Sequence, residues 1–518
     1  MAAESLTSVT TTAARVAWRP SIRAAGRVVT TAGLLGLIGQ LLFFDVGLGI
    51  NLPLAVGLLL VGGWLVRRRT PSLRSPDAWL APAAVAFASF AAVRADPTIV
   101  FLDVLTSLAL AGGSLAAFGG LAVVARPFWR LVAPGLRALG WAAAGAVPAV
   151  AGARASMPSI GSARGRISGL LPVLRGVAVA VPVVLVFVAL FSAADAVFAE
   201  LIDDLFGIDI DLDDLPGRVL LAMVIGWVAA GGLAFAAAEH EDHDARGPMR
   251  SDGWRIGTTE LVTVLAAVVA VFALFVGLQG AYLFGGLDTV EATGVSYAEY
   301  ARRGFFELAA VALLSGGLVI GAERLARDRT RLLIGLAVGL VAMTGVVIAS
   351  SALRLRLYQE AYGWTELRFY VLASIVLLAV GAIALLAALV TDRVRWIGHV
   401  LIVAGLGIGL AVNLIGPVRF ISEQNVARVL DPRLVPPDGR SGLDELYAIS
   451  LGDDAVPALI RALPAIDEGA PAYLANGLRV RLATLRADEG LNAWPAWNAG
   501  RAAARDALES ATDRGELP

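Results

Sequence analysis

The sequence predicts an all-α fold: a polytopic transmembrane helix bundle of about 11 spans with a small extracytoplasmic C-terminal helical domain. Of the 518 residues, 58% are apolar and only 16% are charged, whereas soluble domains carry roughly 25% charged residues. The mean hydropathy of +0.74 excludes an ordinary soluble enzyme, a disordered chain and a nucleic-acid binder with a large basic surface. The lipid bilayer is therefore the expected partner of the chain, and no nucleic acid is expected.

Residues 1–27 are expected to form a cytoplasmic tail rich in Arg and Thr. Four arginines, Arg15, Arg19, Arg23 and Arg27, precede the first apolar segment. A signal peptide has a shorter charged region and a small-residue cleavage site after its apolar core. Here the apolar core continues to Asp45 without such a site, so an uncleaved first span is expected.

The transmembrane domain is expected to cover residues 28–418. A helix needs about 20 mostly apolar residues to cross the hydrocarbon layer. The segments that meet this requirement, or fall slightly short of it, are Val28–Phe44, Ile50–Val66, Trp79–Val93, Thr98–Val124, Val177–Ala194, Val219–Ala238, Leu261–Phe284, Phe305–Ala322, Leu332–Ala352, Phe369–Val390 and Ile397–Val418. The segment Leu131–Ala155 is interrupted by Pro and Arg residues, so it is expected to be interfacial or cytoplasmic, with a further span as the alternative.

The placement of arginine predicts the orientation of the spans, because positively charged loops stay cytoplasmic. All 42 basic residues of the chain are Arg. With the N-terminus inside, the cytoplasmic segments hold 24 Arg and the outer loops hold 7. An odd number of spans then places the C-terminus outside the cytoplasm.

Residues 419–518 differ from the rest of the chain, with 11 Arg and 15 acidic residues. Pro436 and Pro437 mark a linker. A single phrase typical of helical repeats cannot form a solenoid, so a small helical cap is expected. Its predicted helices are Leu443–Ser450, Ala455–Ala465, Ala472–Arg486 and Trp497–Thr512.

Several motifs are similar to those of a known bacterial family. They are Leu174–Gly176, Phe191–Phe198, Tyr282–Gly286, Tyr297–Leu308, Tyr362–Arg368 and Asp453–Leu459. Between about residues 169 and 465 the chain resembles the integral-membrane family catalogued as domain of unknown function 4173, related to domain 4153. The resemblance implies a bacterial cytoplasmic (plasma) membrane protein, and it implies no activity, cofactor or site residue.

Charged and aromatic residues are predicted to gather at the outer face of the bundle. Glu307 and Asp103 lie in apolar stretches, where an unpaired charge costs about 2.5 kcal/mol or more. Nearby arginines are the expected partners, with Arg303 and Arg368 placed to reach Glu307. The alternative is an interfacial aromatic belt with structural ion pairs. The hypothesis is a polar binding pocket lined by Asp195, Glu299, Tyr300, Arg302, Arg303, Glu307, Tyr362, Glu366 and Arg368.

Neither a metal site nor a cofactor is expected. Alternating acids at Asp209, Asp211, Asp213 and Asp214 offer oxygen ligands, but they lack the Gly-centred spacing of a calcium loop. An amphipathic strand or a surface segment is the favoured interpretation. His240 and His243 fall in a solvated loop. The chain also lacks the Gly-rich phosphate loop, the Gly-x-Ser-x-Gly elbow and the His-Glu-x-x-His helix of common enzymes.

Three functions remain open from the sequence. The favoured one is non-catalytic: envelope sensing or assembly, with a lipid or envelope component bound at the outer face. The second is a membrane enzyme acting on lipid-linked substrates, because the layout resembles that of polyprenyl-phosphate-sugar glycosyltransferases. Asp45 is the only acid of the short first loop, which counts against it. The third is a transporter, for which no inverted repeat is apparent. The oligomeric state is left open.

Overall fold

The fold is all-α, which confirms the predicted class. The computed structural model describes residues 22–67, 74–126, 130–147, 149, 214–238, 256–284, 305–437, 439–440, 442–466 and 473–517. Within these residues every regular element is a helix, and one isolated bridge joins Ile256 to Ala326. The bundle helices are α1 (Ile22–Phe43), α2 (Asn51–Val66), α3 (Leu80–Ser89), α4 (Pro97–Phe118), α5 (Val132–Ala144), α6 (Leu215–Ala237), α7 (Thr258–Phe284), α8 (Phe305–Leu325), α9 (Arg331–Tyr362), α10 (Glu366–Val390) and α11 (Ile397–Ile415).

The bundle has the surface and the helix lengths of a multi-pass membrane protein. Seven described helices are long and apolar enough to cross a membrane: α1, α4, α6, α7, α9, α10 and α11. Leu274, Ile383 and Leu414 on their outer faces are each 68% exposed, as expected for side chains that face lipid. The predicted total of about 11 spans is not confirmed by these helices. The predicted span Val177–Ala194 lies outside the described residues.

Some helices extend beyond the apolar segment that predicts them. Helix α9 has 32 residues and is therefore about 48 Å long, whereas the hydrocarbon layer is about 30 Å thick. The Thr330 side chain caps its first turn by accepting a hydrogen bond from Leu333 N. The helix then continues past Ala352, the predicted end of the span, to Tyr362. Its last turns thus project beyond the hydrocarbon layer.

The first half of the bundle is built on the close crossing of α1 and α6. Gly36 and Gly226 face each other at this crossing. A Cβ atom on Gly36 would lie 2.4 Å from the carbonyl oxygen of Ala222, so only glycine permits the observed approach. Small residues allow two membrane helices to pack this tightly.

Helix α5 comes from the segment expected to be interfacial or cytoplasmic, and it packs on α6 within the bundle. The ring of Trp141 meets that of Phe235 edge-on at a centroid distance of 6.2 Å. Trp227 Nε1 donates a 3.0 Å hydrogen bond to the carbonyl oxygen of Ala143. Because Trp227 lies near the middle of α6, the C-terminal end of α5 reaches the same depth. With 13 residues, α5 is too short to be a span by itself.

The second half of the bundle consists of α7 to α11. Leu265, Leu333, Leu340 and Leu389 form its fully buried core. Helix α11 contacts both halves, because Gly409 packs beside Phe87 of α3 while the helix also lies along α10.

The C-terminal domain begins directly after α11. Its helices are α12 (Pro417–Leu430), α13 (Glu445–Ser450), α14 (Val456–Ala462), α15 (Tyr473–Ala487), α16 (Glu489–Asn492) and α17 (Ala499–Asp513). Four of them match the helices that the sequence predicts. Ile421, Leu459, Leu474 and Leu508 form a common core in which each is at most 1% exposed. Helix α12 is additional to the prediction, and Ile421 joins it to that core.

Candidate functional site

The C-terminal domain docks on one end of the bundle, and the contacts involve the loops that join α1 to α2, α3 to α4 and α9 to α10. In the first loop, Gly47 N donates to Gly490 O at 3.2 Å and Ile50 N donates to Trp497 O at 3.1 Å. Arg501 adds a side-chain hydrogen bond to Leu48 O at 2.6 Å. In all three contacts the loop contributes a backbone group, so the contacts fix the position of the domain and depend little on the identity of the loop side chains.

Asn51 holds the first loop in the conformation that docking requires. Its side chain is fully buried. The Oδ1 atom accepts from Gly49 N at 2.8 Å, and Nδ2 donates to Leu42 O at 3.0 Å and to Gly47 O at 2.9 Å. One amide therefore satisfies three backbone groups through two buried hydrogen bonds and one partly buried one. A buried backbone group without a hydrogen bond would lower the stability of the fold.

Asn498 joins the second loop to α17. Its Nδ2 atom donates to Ala91 O and to Arg94 O, both at 2.8 Å, and its Oδ1 atom accepts from Arg501 N at 3.0 Å. The last bond caps the N-terminus of α17. Next to it, Ala95 N donates to the Asp454 carboxylate at 3.0 Å.

The third loop docks through Asn425 of α12 and Tyr447 of α13. Asn425 exchanges two hydrogen bonds with the backbone of Trp364, at 2.8 and 2.9 Å. Glu366 N donates to the Tyr447 hydroxyl oxygen at 2.8 Å. The ring of Trp364 packs edge-on against that of Phe420 at 4.9 Å between centroids. The start of α10 is thereby held against the domain.

Arg94 ties the second loop to the C-terminal end of α11. Its Nε atom donates to Asn413 O at 2.9 Å, and its guanidinium also bonds Leu414 O. A cation at this position satisfies terminal carbonyls and opposes the negative end of the helix dipole. Gly416 follows with φ of +73°, and a Cβ atom there would lie 2.5 Å from the guanidinium. Glycine is required both for the backbone angle and for the approach of Arg94.

Two buried carboxylates lie beneath the docked domain. Asp96 caps the N-terminus of α4 by accepting from Thr98 N at 2.8 Å, and its other oxygen accepts from the Tyr370 hydroxyl at 3.3 Å. Burial raises the pKa of Asp96, and these hydrogen bonds oppose the rise. Asp103, two turns further along α4, accepts from Asn413 Nδ2 at 2.7 Å. Both carboxylates are 2% exposed.

Two neighbouring acids of the domain have different environments. Arg481 forms a two-point ion pair with Asp453 by donating to both carboxylate oxygens, at 2.5 and 2.7 Å. These hydrogen bonds raise the pKa of Arg481. Asp454 forms no ion pair with any other residue that the structure describes. Burial raises the pKa of Asp454, against the lowering effect of the Ala95 hydrogen bond and of Arg94.

A cleft of about 570 Å³ opens beside these acids, between the α3–α4 loop and the domain. Its charged lining residues are the arginines Arg94, Arg419 and Arg461 and the acids Glu423, Asp453 and Asp454. Arg419 and Glu423 form an ion pair at 3.0 Å that is largely exposed to solvent. Several charged side chains of the junction remain accessible to solvent in this cleft. We therefore take the cleft as the candidate functional site.

The structure describes only part of the pocket that the sequence predicts. Tyr362, Glu366 and Arg368 lie at the α9–α10 turn. Arg368 Nη1 donates to the carbonyl oxygens of Tyr362 and Gly363, and its guanidinium stacks on Tyr358 at 4.1 Å from the ring centroid. These contacts cap the end of α9, so they give Arg368 a structural role. The Glu366 carboxylate forms no ion pair with any other described residue.

Of the remaining predicted pocket residues, the structure describes one, and it does not line the cleft. Glu307 lies in the first turn of α8. The other members, Asp195, Glu299, Tyr300, Arg302 and Arg303, lie outside the described residues. The same holds for Asp209, Asp211, Asp213, His240 and His243. Among the residues that the structure does describe, no group of three or more His, Cys, Asp or Glu side chains could hold a metal ion.

Sequence reasoning missed most residues of the junction. Asp103 and Asn413 stand out as polar residues in apolar segments. Asp96 also has a local signal, because Asp-Pro-Thr before an apolar run is typical of a helix N-terminus. Asn425 and Asn498 carry no such signal, because their partners are backbone groups that lie 61 and about 400 residues away in the chain.

Comparison with known proteins gives one family. No curated protein and no solved structure gives a significant match to the chain. The profile of the Domain of unknown function (DUF4153) matches residues 80–462, from the start of α3 to the end of α14. This confirms the expected membership of an unknown-function family, and the matching profile is that of domain 4153. The chain belongs to the DUF4153 family.

Proposed function

We propose that this protein is a non-catalytic membrane protein that binds the phosphate-bearing headgroup of an anionic envelope lipid in the cleft beside the docked domain. The observation that carries the proposal is the presence of Arg94, Arg419 and Arg461 around one cleft of about 570 Å³. Arginine is suited to phosphate because its planar guanidinium can donate two parallel hydrogen bonds.

Three arginines and three acids line the cleft, and Arg419 is more exposed than Glu423 or Asp453. The charge of the Asp453 carboxylate is balanced by its ion pair with Arg481. The Asp454 carboxylate accepts a hydrogen bond from Ala95 N. Glu423 offsets Arg419 through an exposed pair, and such pairs contribute only about 0–1 kcal/mol. Arg461, in the last turn of α14, makes no hydrogen bond or ion pair with any other described residue. Among the described residues, an incoming anion therefore meets no competing partner on Arg461 and only a weak one on Arg419.

The depth of the cleft favours a lipid headgroup as the ligand. Arg94 lies just before α4 begins at Pro97, and Arg419 lies in the first turn after α11 ends at Ile415. Both positions are at the ends of candidate spans, where lipid phosphates meet water. The excess of Arg in the opposite loops, 24 against 7, supports an extracytoplasmic position for this face. The family resemblance supports a bacterial cytoplasmic membrane.

The proposal is tested by thermal unfolding of the purified full chain in neutral detergent. Added phosphatidylglycerol is expected to raise the unfolding temperature more than phosphatidylcholine does, because a ligand at 100 times its Kd stabilises by about 2.7 kcal/mol. Arg461→Gln should lose most of this difference. Arg479→Gln, which removes another exposed arginine that does not line the cleft, should keep it.

Two results would reject the headgroup site. One is an equal rise with both lipids in the unchanged protein. The other is a full response of the double variant Arg419→Gln/Arg461→Gln, provided that this variant unfolds at the same temperature as the unchanged protein when no lipid is added.

A further inference from the structure

A second cavity lies inside the first half of the bundle, away from the docking junction. It has a volume of about 840 Å³ and is lined by residues of α1, α2, α4, α5 and α6. Every residue that lines it is apolar or glycine. It extends from Leu42 and Leu52, near the docked domain, to Leu121 and Phe235 at the opposite end of the bundle. It therefore runs through most of the membrane depth.

The cavity is open to the side of the bundle. Leu108, Leu139, Val224 and Val228 belong to its lining and are each at least 50% exposed. Three of the lining helices, α1, α4 and α6, are candidate spans. The medium at this opening is therefore the hydrocarbon of the bilayer.

We infer that the cavity holds the hydrocarbon chain of a membrane phospholipid. Water is a poor occupant, because a buried water needs two to four polar partners and this lining offers no polar side chain. An empty cavity would forfeit the dispersion contacts of its whole lining. A cavity of about 150 Å³ admits one benzene ring, so 840 Å³ admits a chain of roughly 30 carbon atoms.

A cationic group lies at the end of the cavity nearest the docked domain. Arg218, in the first turn of α6, stacks on Phe44 at 4.5 Å from the ring centroid. Its ion pair with Asp214 is long, at 3.7 Å, and both side chains are about half exposed. Such a pair is weak, so a lipid phosphate can replace Asp214 while the chain of the same lipid enters the cavity.

The two halves of α5 provide a matched pair of variants. A Cβ atom added to Gly135 or to Gly140 meets no atom within 4 Å. Gly135 lines the cavity and Gly140 does not. Gly135→Leu therefore fills part of the cavity, and Gly140→Leu adds the same side chain to the same helix elsewhere.

The experiment uses the full chain in phosphatidylcholine vesicles whose lipid carries a photoactivatable diazirine near the end of one chain. After irradiation, lipid adducts are mapped by mass spectrometry. Adducts are expected on the cavity-facing part of α4, residues 108–116. Gly135→Leu should reduce them about ten-fold, the change that 1.4 kcal/mol of binding free energy gives. Gly140→Leu should leave them unchanged.

Gly112→Leu provides a second filled cavity from α4, with Gly57→Leu as its control, because neither Cβ would meet an atom within 4 Å and only Gly112 lines the cavity. The inference is overturned if α4 carries no adducts, or if a folded cavity-filling variant is labelled like its control. Phosphatidylcholine is used so that the result does not depend on the headgroup cleft proposed above.

Discussion

The carboxylate of Asp103 in α4 accepts a 2.7 Å hydrogen bond from the side-chain amide of Asn413 in α11. The two residues are 310 positions apart, and they are 2% and 1% exposed. Asp103 Oδ2 and Asn413 Oδ1 have no other partner among the described residues. The pair therefore connects the two halves of the bundle through one buried polar contact.

Removing one member of this pair should cost more than removing both. Asn413→Ala leaves the Asp103 carboxylate buried without its donor, which should lower the free energy of unfolding by about 1–3 kcal/mol. Asp103→Ala/Asn413→Ala should recover part of the loss. The measurement is a double-mutant cycle on detergent-solubilised protein. Strictly additive effects of the two substitutions on the free energy of unfolding would show that the contact contributes no interaction energy.

Asn498→Ala should loosen the docked domain. The substitution removes the cap of α17 and two hydrogen bonds to the α3–α4 loop. Loss of an Asn cap alone costs about 0.5–2 kcal/mol. Limited proteolysis of the linker near Pro436 should therefore become faster. Asn476→Ala, at an exposed position of α15, should leave the cleavage rate unchanged, and equal rates for the two variants would contradict the prediction.

Arg481→Gln should destabilise the C-terminal domain strongly. The Asp453 side chain is 2% exposed and would remain as a buried carboxylate without its cation. We expect a loss of about 2–4 kcal/mol, because breaking a buried ion pair costs more than its net contribution. Adding Asp453→Asn to that variant should restore part of the stability in thermal unfolding. If the double variant is the less stable of the two, the cost does not come from an unpaired carboxylate.

The buried carboxyls of the junction should make its stability fall as the pH rises. Burial raises the pKa values of Asp96 and Asp454 in the folded protein, so the folded state holds these protons more tightly than the unfolded state does. The resulting stabilisation is complete below the unfolded pKa, about 3.9, and is lost as the pH rises through the folded values.

Asp454→Asn should weaken this pH dependence, because asparagine can still accept from Ala95 N without taking up a proton. The measurement is the unfolding temperature at a series of pH values from about 4 upwards. Asp431→Asn is the control with the opposite sign, since its hydrogen bonds with Arg433 lower the pKa of Asp431. An Asp454→Asn protein with the same pH profile as the unchanged protein would contradict the assignment.

The orientation of the chain remains a prediction, and reporter fusions can check it. Fusions after Arg69, after Leu287 and at Pro518 are expected to report inside, outside and outside, on the basis of the arginine distribution. Because the C-terminal domain docks on the α1–α2 loop, an inside signal at Pro518 would contradict the predicted orientation and would place the cleft on the cytoplasmic side.

Hydropathy predicts the bundle well, because the length of an apolar segment is set by the thickness of the bilayer. It does not predict where α9 ends, since the last turns lie outside the hydrocarbon layer, where polar residues such as Arg354 and Arg356 are tolerated. Hydropathy also places α5 at the membrane surface, because the segment contains Pro and Arg residues. The hydrogen bond from Trp227 to Ala143 O, which holds α5 against α6, cannot be read from hydropathy.

The docking junction is less predictable than the spans. Asn51, Asn425 and Asn498 bind backbone groups, and a backbone group has no residue-specific signature in a sequence. Only Asp103 and Asn413 are recognisable from the sequence, because they are polar residues inside apolar segments. The cleft arginines resemble ordinary interfacial arginines until the fold brings Arg94 beside Arg419 and Arg461.

The contact between Gly47 and Gly490 has a consequence for biosynthesis. These residues are more than 400 positions apart, and at about 5–20 residues per second a ribosome needs roughly 20–90 s to make the intervening chain. During that interval the first loop exists without the partner that covers it. Docking of the C-terminal domain is therefore a late event in maturation, and a prematurely terminated chain would display a bare docking surface that proteases and chaperones of the membrane can recognise.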